Sequence, residues 1–109
     1  MNNWGIPKWL EDEVRKRDSA CAYCGEVFVG RNGPRQLRPS WEHIINDARI
    51  ITRENIVLCC IGCNSSKGAK DLLDWLSSRY CREKGISEVS VSHVVRAAIQ
   101  SMRQERDLS

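Results

Sequence analysis

Two cysteine pairs, Cys21-Ala-Tyr-Cys24 and Cys60-Ile-Gly-Cys63, constrain this chain more than any other feature. A two-residue spacer lets one tight turn offer two thiolates to a single ion, and zinc prefers four soft ligands at tetrahedral corners. Gly25 follows the first pair and suits a turn whose backbone N–H groups face the sulfurs. Redox chemistry is the rival use of C-x-x-C, but two such pairs without a βαβ pattern fit it poorly. The expectation is a structural Zn²⁺ held by Cys21, Cys24, Cys60 and Cys63. Cys59 adjoins Cys60 and could compete, but the spacing to Cys63 favours Cys60 and turns Cys59 away along a strand. Cys81 reads as a small apolar core residue.

The compartment supports the same reading. The amino terminus has no apolar stretch and carries acids early, so it does not read as a secretory signal. Cysteines in a cytoplasmic chain bind metal or stay reduced. The longest apolar run, Ile56 to Ile61, falls far short of the about 20 residues that span a membrane, so no membrane partner is expected. At 109 residues, 41% hydrophobic and 28% charged, the chain reads as one ordinary globular domain. The net charge of +3 permits a nucleic-acid partner without demanding one.

Within that domain, residues 1–109, the unusual chemistry falls in a core at about 19–68, and a helical part follows at about 69–107. Trp9, Leu10 and Val14 mark a short first helix to Arg17. Extended pieces are expected at Val27 to Val29, Leu37 to Ile44 and Asn55 to Leu58. Leu72, Leu73, Trp75, Leu76 and Tyr80 keep helical spacing up to Gly85, a natural stop. Val91, Val94, Val95, Ala98, Ile99 and Met102 give the apolar face of a last helix, with His93 among them as a core histidine.

Between the cysteine pairs stand Glu42-His43-Ile44-Ile45 and Asn55-Ile56-Val57, and Asn64, Lys67 and Gly68 follow the second pair. In this order, over about residues 15–70, the pattern resembles the HNH endonuclease family, the zinc-knuckle branch of the ββα-metal nucleases. The resemblance implies an α+β fold with a small ββα-metal core and its four-cysteine zinc knuckle. An N-terminal helix and C-terminal helices would flank that core. It also implies that His43 is the general base, that Glu42 and Asn64 hold one divalent ion, and that Asn55 pins the loop orienting His43. The implied catalytic set is thus His43, Asn55 and Asn64, acting on DNA with Mg²⁺ or Mn²⁺. Three features depart from the family pattern: Glu42 stands where Asp is more usual, Asn46-Asp47 where a proline is common, and Ile50 to Arg53 where paired glycines are. Asp47 reads as a turn former.

The chemistry suits those roles. A histidine with a pKa near 6.5 is a competent base at neutral pH. A carboxylate with an amide oxygen is a hard donor set suited to Mg²⁺. Arg31, Arg35, Arg38, Arg49 and Arg53 against Glu42 and Asp47 leave the surrounding segment positive, so Arg38, Arg49, Arg53 and Lys67 are candidate phosphate contacts. The function expected is a metal-dependent DNA endonuclease, monomer or homodimer, since one such site cuts one strand. The alternative is a catalytically inactive zinc-knuckle nucleic-acid-binding module.

Overall fold

Helix α1 (Lys8–Arg17) carries Glu11 in its first turn and Arg15, Lys16 and Arg17 in its last, the arrangement its macrodipole favours. A computed structural model describes the chain from Trp4 to Leu108, the last by its backbone alone. Leu10 and Val14, four residues apart, form the buried stripe of α1. Asp18 ends the helix, and its Oδ2 accepts from the Leu58 backbone N–H at 3.0 Å. Arg17 donates to the carbonyls of Arg53 and Ile56, so α1 is tied to the following sheet by charge-assisted bonds.

Strands β1 (Pro39–His43) and β2 (Ile56–Cys60) pair antiparallel, with Trp41 opposite Leu58, Glu42 opposite Val57 and His43 opposite Ile56. Successive side chains of a strand face opposite sides. Leu58 and Ile56 join Ile6, Leu10 and Val14 under α1, with Trp41 packed beside them. Val57 and Cys59 face the larger core with Tyr23, Ile44, Leu72, Trp75, Val95 and Ile99. The sheet therefore separates two apolar clusters.

Helix α2 (Ile61–Lys67) leaves β2 without a loop, because Cys60 is both the last strand residue and the helix cap. Its sulfur accepts from the Cys63 backbone N–H at 3.4 Å. Helices α3 (Leu72–Leu76), α4 (Arg79–Lys84) and α5 (His93–Leu108) complete the described chain. The result is an α+β chain: a two-stranded antiparallel sheet, several helices and a four-cysteine cluster. None of its described helices is long and apolar enough to cross a membrane.

The structure corrects several sequence expectations. The single helix at 72–80 is two, because the Ser78 side chain caps a new helix by accepting from the Cys81 N–H. Gly85, in the left-handed region at φ 73°, then closes α4 as the sequence suggests. Val27 to Val29 form no strand; Val27 makes an isolated bridge with Ala20. The first strand starts at Pro39, since Arg35–Leu37 turn as a 3₁₀ helix. His93 is not in the core: it is the first residue of α5 and lies exposed, while Val91, Val95 and Ile99 are buried.

Candidate metal centre and active site

The first cysteine pair sits on a tight turn. The Cys21 N–H donates to the Glu26 carbonyl, and the Gly25 N–H donates back to the Cys21 carbonyl with Gly25 at φ 78°. A side chain is strained at that angle, so glycine is needed here. Ala22 N–H donates to the Leu58 carbonyl, which docks the turn on β2 beside the second pair. The sulfurs of Cys21, Cys24, Cys60 and Cys63 all lie within 4.8 Å of one another, and those of Cys24 and Cys60 are 3.8 Å apart. A tetrahedron with zinc–sulfur bonds of about 2.3 Å has edges of about 3.8 Å, so the cluster fits zinc in both donor type and spacing.

Its electrostatics favour a thiolate at Cys21, while burial chiefly pushes the Cys24 thiol up to about 12. The Cys63 thiol and the backbone N–H groups of Cys24, Cys60 and Tyr23 hydrogen-bond to Cys21 and hold its pKa down to about 5, against the pull of burial. Cys63, whose proton is engaged by Cys21, is pushed up by that bond and by burial. Tyr80 also donates to Cys63 Sγ at 3.4 Å from α4. Cys59 is buried, its pKa raised chiefly by desolvation, and its sulfur lies 3.8 Å from Ser40 Oγ. Cys81 is buried in the larger core.

Strand alternation sends the neighbours Glu42 and His43 to opposite sides of the sheet. Glu42 faces the larger core, where Tyr23 Oη donates to its Oε2 at 2.8 Å and Lys67 Nζ lies 3.0 Å from the same oxygen. Burial and the adjacent carboxylate push the Tyr23 phenol well up, so it stays a donor. Asn64, one turn before Lys67 on α2, gives its Nδ2 to Ser40 Oγ at 3.0 Å and to the Trp41 carbonyl at 3.1 Å. A carbonyl only accepts, so the amide orientation is fixed with its oxygen directed away from β1's backbone. Helix α2 thus brings Lys67 to Glu42 and Asn64 to Ser40 and Trp41 of β1.

Lys67 departs most from the sequence reading. It is fully buried, paired with Glu42 and also donating to the His43 carbonyl at 3.4 Å, so its ammonium is not a surface contact for phosphate. A buried ammonium is costly unless paired, and Glu42 is that pair. Arg38 is half-buried, donating to the carbonyls of Arg31 and Gly33. Arg49 and Arg53 reach the surface, but each pairs with an acid: Asp47 at 2.9 Å and Glu13 at 2.6 Å. The Arg49 guanidinium holds the Asp47 carboxyl down to about 2.

His43 lies on the other side of β1. Its ring centroid is 5.3 Å from that of Trp4, edge to face, and its buried Nε2 has no hydrogen-bond partner among the described residues. Burial chiefly, with help from Lys67, holds its pKa below the ordinary 6.5, while Glu42 and Asp47 pull the other way. The loop after it is pinned by buried Asn55. Its Oδ1 accepts from Ile45 N–H at 2.7 Å, and its Nδ2 donates to the carbonyls of Ile45 and Ile50. Tyr23 and Trp4 are the members of this neighbourhood the sequence did not single out. Tyr23 stood inside the first knuckle, where a buried phenol needs a polar partner. For Trp4 no local pattern gave a signal.

No protein-family model matches the chain, and no solved structure matches it. Among curated proteins, the CRISPR-associated endonuclease Cas9 of Corynebacterium diphtheriae is 31% identical over 90 residues, covering 80% of this chain. The chain spans about 7% of the length of that relative. The similarity is therefore to one stretch of a much longer nuclease.

Proposed function

We propose that the chain, residues 1–109, is a single HNH-type nuclease domain, with a ββα-metal core at about 19–68, that hydrolyses phosphodiester bonds in DNA. The observation that carries this reading is His43: a histidine at a strand end, with an unpartnered Nε2, beside a loop fixed by Asn55. A buried polar atom without a partner calls for an explanation, and a base waiting for a water proton supplies one. The similarity to an endonuclease supports the same class.

In this reading His43 Nε2 takes the proton of the attacking water, and its depressed pKa keeps it neutral and ready near pH 7. Asn55 keeps the loop, and with it the histidine, in one position. Glu42 Oε1 and Asn64 Oδ1 would hold Mg²⁺ or Mn²⁺, which would supply charge relief at the phosphate. Because Glu42 and His43 leave β1 on opposite faces, the phosphate would have to lie past the strand's end at His43 for both to reach it. Arg49 and Arg53, and Arg38 more weakly, would meet flanking phosphates. The four cysteines hold a structural zinc outside the reaction. Cytoplasmic location and a monomer or homodimer complete the proposal.

The Glu42–Lys67 pair favours a second reading. A carboxylate already balanced by a buried ammonium and a phenol is a weaker metal ligand, which is what a catalytically inactive nucleic-acid-binding module would tolerate. A plasmid-nicking assay with Mg²⁺ or Mn²⁺, run beside His43→Ala, separates the two. Nicking by the parent protein and not by the variant is expected. DNA binding without cleavage under either ion would transfer the assignment to the binding module.

A further inference from the structure

His43 is 7% exposed, and the Trp4 indole that packs on its edge is 49% exposed. A nucleotide approaching the imidazole therefore meets the indole first. Trp4 reaches this point from the segment before α1, where Gly5, at φ 72°, and Ile6, buried in the small cluster, anchor the chain. On the face of β1 that His43 shares with Trp41, Arg15 sits over the Trp41 ring at 4.9 Å, and Asp47, which lies close enough to bias His43, is paired with the exposed Arg49. An exposed indole is a platform on which an unpaired nucleobase stacks, and cations around the histidine it packs on would follow the backbone. In a duplex the base faces are occupied by their neighbours, and the indole would find only sugar and phosphate.

We propose that Trp4 is a nucleobase-stacking residue beside His43, and that the substrate is DNA with an unpaired base at the point of cleavage. This rests on the nuclease reading for its meaning, but the stacking can be measured without cleavage.

The test uses the full zinc-loaded chain with exchangeable divalent ions removed, so that no DNA is cut. Anisotropy at one fixed salt concentration compares a labelled single strand, the fully paired duplex of the same sequence, and that duplex with one bulged base. The parent protein should bind the single strand and the bulge at least about tenfold more tightly than the duplex. Trp4→Ala should lose about tenfold on the first two and nothing on the duplex, while Trp4→Phe keeps most of the affinity. Trp9→Ala removes another exposed indole, under Arg53, and should leave the preference intact. Zinc content and far-UV spectra matched across variants exclude misfolding. Equal affinity of the parent for all three DNAs, or a Trp4→Ala protein binding the single strand like the parent, overturns the proposal. Loss of cleavage in the nicking assay with the stacking preference intact would instead count against the nuclease reading alone.

Discussion

At the residue scale, the proposed nuclease activity turns on the protonation of the His43 imidazole. Its pKa lies below 6.5 because burial penalises the charged ring first and Lys67 adds to that, and Glu42 and Asp47 offset them only in part. A base works when neutral, so the rate should rise as pH increases, with a midpoint below 6.5, and then stay level through pH 8. His43→Ala should lower the rate by roughly 10²–10⁴ and remove this titration, with DNA affinity barely changed. Initial rates across pH for both proteins check it, and a profile that falls from pH 6 to 8 would contradict the assignment. Lys67 and Glu42 present the other residue-scale question. Lys67→Met strands a buried carboxylate and should cost about 3–5 kcal/mol of unfolding free energy, whereas Lys67→Met with Glu42→Gln should recover much of it. Urea unfolding of the two variants reads this directly. Additive losses would mean that the pair does not couple.

The elements divide by how local their causes are. Both knuckles were legible in the sequence because a C-x-x-C turn is decided within five residues, and α5 because its apolar period runs for three turns. The break between α3 and α4 was hidden, since the apolar positions of 72–80 continue across it while the Ser78 cap acts on the backbone alone. The partners of Glu42 were hidden for a different reason: Tyr23 comes from 19 residues earlier and Lys67 from another element, so only the folded sheet brings them together. Alternation does imply that Glu42 and His43 diverge; which cluster each would meet is a tertiary fact. The zinc prediction belongs to this scale. One zinc per chain is expected by elemental analysis, and Cys21→Ser or Cys60→Ser should unfold the segment between the knuckles, because β2 and α2 share Cys60. Cys81→Ser should keep the zinc, as that sulfur lies outside the cluster. A folded, reduced protein without zinc would refute the metal centre.

Across the whole molecule the four-cysteine cluster ties its parts together: Ala22 N–H bonds to the Leu58 carbonyl of β2, Ser92 N–H at the start of α5 bonds to the Ala22 carbonyl, and Tyr80 reaches Cys63 from α4. The proposed catalytic ion would rest on a second, harder donor pair, Glu42 on β1 and Asn64 on α2. Soft thiolates and hard oxygens retain different ions, so the two sites should separate under chelation. Brief treatment with a chelator that strips exchangeable Mg²⁺ or Mn²⁺ should abolish cleavage and leave the far-UV spectrum and zinc content intact. Adding Mg²⁺ or Mn²⁺ back should restore cleavage. Prolonged chelation that removes zinc should then collapse the fold, with the helices losing their common anchor. Nicking, zinc content and ellipticity followed over one time course give the order of these events. Cleavage that persists in full while only zinc remains bound would remove Glu42 and Asn64 from the metal assignment, because no exchangeable ion would then be required.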